Sequence, residues 1–148
     1  MKVNNAIQGV RQLFLDTAPI IYYVENHPNY YRLTEAIFDG VDEGLLLGVT
    51  SPITLSECLV HPYKLGLIAL AQDFIDLIVY GENINFILID EDIGKLAAQM
   101  RAKYNLSLTD SLQIAVAIQS KCEAFLTNDL QLKRVNELSI LVISELTL

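Results

Sequence analysis

Apolar residues alternate along the chain between short continuous runs and longer stretches with helical spacing. A continuous apolar run of four to eight residues is typical of a strand that is buried on both faces. The pattern predicts five such strands: LFLD at 13–16, LLLGVT at 45–50, NFILID at 85–90, AFLT at 124–127 and SILVIS at 139–144.

The segments between these runs predict helices. The clearest is Leu67–Tyr80, where apolar residues recur every three or four positions and would form one buried face. Helix starts and stops are set by capping residues, glycine and proline. The other predicted helices are Thr17–Val24, Tyr30 to about Asp42, Thr54 to near Pro62, Glu91–Tyr104 and Asp110 to Lys121.

Apolar strands separated by helices imply a parallel sheet covered on both faces. We therefore expect an α/β fold, a three-layer α/β/α sandwich with a mainly parallel five-stranded sheet. A length of 148 residues suits one domain, 1–148, with a sizeable core. Hydrophobic residues make up 52% of the chain, more than a small monomer usually hides, which predicts a partner or self-association.

The sequence predicts a cytoplasmic protein with no membrane partner. No apolar run approaches the roughly 20 residues needed to cross a bilayer, and the first residues lack the apolar block of a secretion signal. Cys58 and Cys122 are each flanked by apolar residues and are predicted to be buried free thiols. The net charge of −8 argues against general nucleic-acid coating, so any nucleic-acid role must be local.

Four acidic residues are predicted to lie at one edge of the sheet. Asp16 ends the first strand and Asp129 follows the fourth, whereas Glu57 falls in the first turn of the helix after the second strand. Asp110 opens the helix that runs back into the fourth strand, so its start lies where that strand ends. Ligands of open α/β sheets bind at this carboxyl edge.

Each acid has a structural alternative when it is taken alone. Asp16 would serve as a helix N-cap, and Glu57 would complete a capping box with Thr54 in TLSE. Asp110 would favour the positive end of a helix dipole, and Asp129 would belong to an ordinary turn. These roles do not predict that the acids meet, and like charges that meet destabilise one another unless a cation joins them.

The order and spacing of these acids resemble the acidic quartet of PIN-domain nucleases. The four matching blocks are LFLDTAPIIYY, TLSECL, LSLTDSLQIAVA and FLTNDLQLKRV, and the resemblance extends from about Leu13 to Ile143. The size and layout are most similar to ribonuclease toxins of the bacterial VapC type. One residue departs from the family pattern, because Gln113 is polar where the family has an apolar residue.

The resemblance implies a metal-dependent endoribonuclease that leaves a 5′-phosphate and a 3′-hydroxyl. Mg²⁺ or Mn²⁺, which prefer oxygen ligands and retain several waters, would be held by Asp16 and Asp110, with Asp129 as a further direct or water-mediated ligand. Glu57 would orient or deprotonate the attacking water, or hold a second ion. Supporting hydrogen bonds, or simple turn structure, are the alternatives for Thr17, Thr127 and Asn128.

The resemblance also implies RNA as substrate, a cognate antitoxin protein as partner and a homodimer. We favour a partner-docking role over base stacking for Tyr22, Tyr23, Tyr30 and Tyr31. His27 and His61 both precede proline and are predicted in helix-ending loops. The basic residues that would contact phosphates, or merely be solvated, are Lys64, Arg101, Lys103, Lys133 and Arg134.

Two other functions compete with the nuclease. A phosphatase of the haloacid dehalogenase type also has an Asp after its first strand, but it needs a second acid two residues later, where this chain has Ala18. A non-catalytic scaffold with the PIN fold would be expected to have lost one or more pocket acids, and all four are present here.

Overall fold

The computed structural model describes residues 1–148 and contains a five-stranded, fully parallel sheet. The strand order is β3-β2-β1-β4-β5, with β1 at the centre. β2 and β3 are added in turn on one side of β1, and after β3 the chain crosses back to add β4 and β5 on the other side, so the strand order reverses at β1. In register, Phe14 of β1 lies between Val49 and Phe125. The strands are β1 Gln12–Leu15, β2 Leu47–Thr50, β3 Ile84–Phe86, β4 Ala124–Thr127 and β5 Ser139–Val142.

Seven α-helices cover the two faces of the sheet, and none is long and apolar enough to cross a membrane. Two 3₁₀ helices, Leu130–Arg134 and Ile143–Glu145, follow β4 and β5. The α-helices are α1 Val3–Ala6, α2 Thr17–Val24, α3 Tyr31–Asp42, α4 Pro52–Leu65, α5 Ile68–Ile78, α6 Glu91–Tyr104 and α7 Leu108–Gln119.

Two apolar cores lie on opposite faces of the sheet. Leu13 and Leu15 of β1 point into the core formed with α2, α3, α4 and α5. Phe14, between them in sequence, points into the core formed with α6 and α7 and stacks on Phe125 at a centroid distance of 4.8 Å. This alternation follows from the two-residue period of a strand. The predicted three-layer α/β/α sandwich is confirmed.

The start of α4 differs from the prediction. Ser51, not Thr54, is the N-cap; its hydroxyl accepts from the Ile53 N–H at 3.1 Å, and Thr54 completes the capping box at the third helical position. TLSE is therefore not the capping box, and Glu57 lies in the second turn of α4, not in the first. Pro52 at the first helical position favours the earlier start, since proline has no N–H to leave unpaired there.

The end of α4 was also predicted wrongly. The helix continues through Pro62 to Leu65 and ends at Gly66, whose φ of 66° is the left-handed conformation that glycine adopts easily. Pro62 is buried in the last turn, where packing of α4 against α5 outweighs the missing backbone bond. His61 is consequently a helical residue, whereas His27 lies between α2 and α3 as predicted.

The remaining differences are at element boundaries. α7 begins at Leu108, two residues before Asp110, because the Ser107 hydroxyl caps it by accepting from the Asp110 N–H at 3.1 Å. β3 ends at Phe86, so most of the predicted strand at 85–90 is irregular, and α1 had no counterpart in the prediction. Cys58 and Cys122 are buried free thiols, as predicted.

Candidate active site

Asp16 lies at the carboxyl end of the central strand β1, where the sheet turns into α2. Its Oδ1 accepts from the Thr17 N–H at 2.8 Å, so Asp16 does act as the N-cap of α2. Its Oδ2 accepts from the Thr127 hydroxyl at 2.8 Å, a contact with the end of β4. Each carboxylate oxygen therefore has one donor, and the side chain is fixed on both sides.

The pKa of Asp16 reflects both its burial and the acids near it. Its pKa is raised from 3.8 to about 6, chiefly by burial and further by the negative charges of Asp110 and Glu57. The hydrogen bonds from Thr17 and Thr127 oppose this rise because they stabilise the charged form. Glu57 of α4 and Asp110 of α7 are thus close enough to Asp16 to affect its pKa.

Glu57 extends from α4 toward the start of α2. Its Oε1 accepts from the Thr17 hydroxyl at 2.8 Å, and the residue is exposed. Thr17 consequently joins two of the predicted site acids, because its N–H bonds to Asp16 and its hydroxyl bonds to Glu57. Thr17 therefore contacts two of the site acids, and its role in orienting them stays a prediction.

Asp110 occupies the third position of α7 and is half-buried. Burial raises the pKa of its carboxyl, the negative charge of Asp129 raises it further, and hydrogen bonding to Ser107 lowers it. Asp110 therefore interacts electrostatically with both Asp16 and Asp129.

Asp129, like Glu57, is exposed. Its N–H donates to the Thr127 hydroxyl at 3.1 Å, and its Oδ1 accepts from the Gln131 N–H at 2.9 Å, so it also caps the 3₁₀ helix that follows β4. Asn128 is directed elsewhere: its Nδ2 donates to the Tyr22 hydroxyl at 3.1 Å and its Oδ1 accepts from the Ser144 N–H at 3.0 Å. The contacts of Asn128 are those of a structural residue.

The donor set suits a hard divalent cation. Asp16, Glu57, Asp110 and Asp129 offer only carboxylate oxygens, and none of them forms a salt bridge with a basic side chain. However, no three acidic, histidine or cysteine side chains are grouped as a cage that could hold one ion directly. An ion held by one or two of the carboxylates and otherwise by water fits this arrangement, as is usual for Mg²⁺.

Sequence reasoning did not identify the polar network beneath the acids. Gln113 is only 1% exposed; its Oε1 accepts from the Ser51 hydroxyl at 2.5 Å and its Nε2 donates to the Thr54 hydroxyl at 2.9 Å. The sequence does contain one indication of this network, since Gln113 is a polar residue at a position expected to be apolar. Its partners, about 60 residues away in sequence, were not predictable.

Most of the candidate phosphate-binding cations already bond within the protein. Lys133 forms a salt bridge with Glu145 at 2.8 Å, and Lys103 forms one with Glu137 at 3.1 Å. The guanidinium groups of Arg101 and Arg134 donate to backbone carbonyls of Leu106 and of Gln131 and Tyr104. Only Lys64 has no such bond, so phosphate contacts made by the other four residues would have to compete with existing bonds.

The tyrosines form two stacked pairs near α2. Tyr22 stacks on Tyr30 with a centroid distance of 5.1 Å, and Tyr23 stacks on Tyr31 at 6.0 Å. Tyr23 also stacks on buried Phe38 at 4.1 Å. These rings extend the first core to a half-exposed surface, which is compatible with the predicted docking role.

A parallel α/β/α sandwich with acids at the carboxyl ends of its central strands defines a recognisable class of protein. The model of the PIN domain family matches residues 13–138, and the chain belongs to the PIN domain family. A sequence comparison with curated proteins gives no significant match.

Solved structures share the fold at low sequence identity. VapBC2 from Rickettsia felis, bound to a DNA fragment from its promoter, gives a TM-score of 0.69 at 18% identity, covering 88% of this chain and 98% of that one. DNA-bound VapBC from Salmonella typhimurium gives 0.67 at 20% identity, covering 90% and 98%. The Mycobacterium tuberculosis toxin VapC20, which cleaves the sarcin-ricin loop, gives 0.63 at 12% identity, covering 76% and 86%.

Proposed function

We propose that the protein is a Mg²⁺- or Mn²⁺-dependent endoribonuclease, the toxin of a toxin–antitoxin pair. The observation that carries the proposal is that Thr17, at the carboxyl end of β1, hydrogen-bonds to both Asp16 and Glu57 at 2.8 Å in a chain that belongs to the PIN domain family. The raised pKa of Asp16, due mainly to burial and further to Asp110 and Glu57, agrees with it. The electrostatic effect of Asp110 and Glu57 on Asp16 supports a site at the end of the central strand that acids from both faces of the sheet would share. Their mutual repulsion is unfavourable without a cation and is relieved when one binds.

Each acid has a proposed part in hydrolysis of a phosphodiester. Asp16 and Asp110 would hold the ion, and Asp129, an exposed acid that follows β4, would contact it through water. When bound, a divalent cation activates water and offsets the charge that develops on the phosphate. Thr127 and Thr17 would keep the carboxylates of Asp16 and Glu57 oriented.

Glu57 is the proposed general base. Its Oε1 is occupied by the Thr17 hydroxyl, while its Oε2 has no hydrogen bond and the residue is exposed. That oxygen is therefore available to take a proton from the attacking water. A positioned general base contributes typically 10²- to 10⁴-fold to a rate.

The proposed partners are RNA, a cognate antitoxin and a second copy of the chain. The likeness to toxins solved in VapBC complexes supports the antitoxin, and VapC20 supports RNA as the substrate class. Apolar side chains exposed around the connection of α4 and α5, among them Tyr63, Leu65 and Ile68, support burial against another protein.

The test is cleavage of total RNA by the purified protein with Mg²⁺, Mn²⁺ or EDTA, followed by mapping of new 5′ ends. We expect metal-dependent cuts that carry 5′-phosphates and that Asp110→Asn abolishes. Asp92→Asn, an exposed acid in the first turn of α6, is the matched control and should cut like the wild type. Cleavage that persists both in EDTA and in Asp110→Asn would refute the proposal.

A non-catalytic scaffold is the second candidate, and one observation favours it. Asp16 and Asp129 both cap helices, and no three acids form a ready cage for an ion. The melting temperature with and without Mn²⁺ separates the two functions. A rise that Asp16→Asn removes supports the nuclease, whereas no rise in the wild type supports the scaffold.

A further inference from the structure

The buried amide of Gln113 joins two helices that carry proposed catalytic acids. Gln113 belongs to α7, and its two partners, Ser51 and Thr54, are the N-cap and the third residue of α4. The Thr54 hydroxyl also accepts from the Ser51 backbone N–H at 3.4 Å, so each of the three residues is hydrogen-bonded to the other two. No buried side-chain polar atom in the protein lacks a hydrogen-bond partner.

The hydrogen-bonded bridge formed by Gln113, Ser51 and Thr54 joins helices that lie on opposite faces of the sheet. α4 packs in the core on one face and α7 in the core on the other, so the helices meet only around the carboxyl edge. The bonds of Gln113 are the only side-chain hydrogen bonds between α4 and α7. Apolar packing is non-directional, whereas an amide with a defined donor and acceptor fixes the distance and orientation of two helix starts.

Both ends of the bridge lie one helical turn from an acid. Gln113 is three residues after Asp110 on α7, and Thr54 is three residues before Glu57 on α4. Residues three apart occupy the same face of a helix, so a shift of one moves the other. Movement of α7 relative to α4 would therefore change the separation of Asp110 and Glu57 directly.

We propose that Gln113 is a positioning residue that fixes the spacing of Asp110 and Glu57 near Asp16, an inference that rests on the proposed nuclease function. Stability alone does not require this bridge, because replacing both members of a buried hydrogen-bonded pair with apolar groups of similar shape is often nearly neutral. A polar bridge instead selects one arrangement of the two helix starts among the several that apolar contacts would permit.

The first test measures the distance between α4 and α7 and does not depend on RNA cleavage. Spin labels are placed on exposed positions of α4 and α7 by Val60→Cys and Thr109→Cys, in a background with Cys58→Ala and Cys122→Ala. Electron–electron distance measurements should show a narrow distribution with Gln113 and a broader or displaced one with Gln113→Met. The matched control is Ile114→Val, a buried change on the adjacent residue of α7 that should leave the distribution narrow.

The second test measures cleavage. Gln113→Met should lower kcat at least tenfold while KM stays within twofold, and Thr54→Val should do the same by removing only the hydroxyl. Thr54→Ser, which keeps the hydroxyl, should restore most of the rate. The double variant Gln113→Met/Thr54→Val should be no slower than Gln113→Met, because the methionine variant already lacks the bond to Thr54.

The results of these two tests distinguish a failure of the positioning role from a failure of the proposed nuclease function. An unchanged distance distribution in both Gln113→Met and Thr54→Val, or losses of kcat that multiply in the double variant, would overturn the positioning role. If Gln113→Met does not fold, the distance distribution and kcat of Thr54→Val, compared with those of the wild type, test the inference. If the wild type shows no metal-dependent cleavage, the nuclease proposal fails, and a broadened distribution still establishes that Gln113 sets the helix spacing.

Discussion

Thr127 Oγ1 lies 2.8 Å from Asp16 Oδ2 and donates its only proton to that carboxylate. The same oxygen accepts from the Asp129 N–H at 3.1 Å, so one fully buried hydroxyl connects the end of β1 with the turn after β4. The positions of two proposed metal-binding acids therefore depend on a single side chain. The sequence placed Thr127 beside the acids without indicating which of them it would contact.

Thr127→Val should disturb Asp16 without a large loss of packing, because valine has a similar shape but no hydroxyl. The hydrogen bond from Thr127 lowers the pKa of Asp16, so its removal should raise that pKa above about 6. A titration of the Asp16 carboxyl by ¹³C NMR measures the change. Thr127→Ser retains the hydroxyl and is expected to titrate like the wild type; equal values for valine and serine would contradict the assignment.

Asp16→Asn should make the protein more stable at neutral pH. The folded pKa, about 6, exceeds the ordinary value of 3.8, so the folded state binds the proton more tightly than the unfolded state does. Stability therefore falls as the pH rises from about 3.8 to 6, and the full penalty, about 3 kcal/mol, is present above pH 6.

The asparagine variant lacks this penalty. Thermal unfolding in EDTA should give Asp16→Asn a higher melting temperature than the wild type at pH 7.5, and the difference should shrink toward zero near pH 4. A difference of the same size at both pH values would show that burial of the Asp16 charge is not its cause.

Metal binding should weaken in acid, because protons compete for the Asp16 carboxylate. With one competing proton at a pKa of about 6, the apparent affinity for Mn²⁺ should be about tenfold lower at pH 5 than at pH 7. The rise in melting temperature with Mn²⁺ concentration measures it, with Asp92→Asn as the control. A rise that is independent of pH would place the ion away from Asp16.

Glu57→Gln should reduce cleavage without unfolding the protein. The amide oxygen of glutamine still accepts from the Thr17 hydroxyl, but glutamine cannot take a proton from water. We expect kcat to fall about 10²- to 10⁴-fold while the Mn²⁺-induced rise in melting temperature remains. Glu82→Gln, an exposed change before β3, serves for comparison; a variant at position 57 that cuts at the wild-type rate would remove Glu57 from the role of base.

Two glycines should respond to alanine in opposite directions. A Cβ at Gly48 in β2 would lie 2.6 Å from Ile84 Cδ1 and 2.9 Å from Leu15 Cδ1, so Gly48→Ala should lower the free energy of unfolding by about 1–3 kcal/mol. Gly94 in α6 has nothing within 4 Å of that position, and Gly94→Ala should raise the free energy of unfolding by about 0.5–1 kcal/mol. Urea denaturation of both variants measures the sign, and a loss at Gly94 would contradict the helix-propensity argument.

The fold was largely predictable because its signals are local. Continuous apolar runs identified all five strands, and β4 and α6 were predicted with the bounds observed. The errors lie where two local signals compete. In SPITLSE both Ser51 and Thr54 are good caps, and Pro62 suggested a helix end that packing against α5 overrides.

The site was predictable in outline, because the carboxyl ends of parallel strands share one edge of the sheet. The pKa shifts of Asp16 and Asp110 agree with the predicted convergence of the acids. Their ion-binding role stays a prediction. The contacts that hold them, Thr17 with Glu57, Thr127 with Asp16 and Gln113 with Thr54, join residues at least 40 apart in sequence. No local pattern specifies such pairings.

The reversal of strand order around β1 has a consequence for the newly made chain. Asp16 and Glu57 precede β3, whereas Asp110 and Asp129 follow it, so the first half of the polypeptide supplies only two of the four acids. A ribosome that has not yet released β4 has therefore made no complete site. If the proposed function holds, a nascent chain that lacks β4 cannot cleave the RNA of the cell that makes it. An antitoxin is then needed only when translation of the toxin is complete.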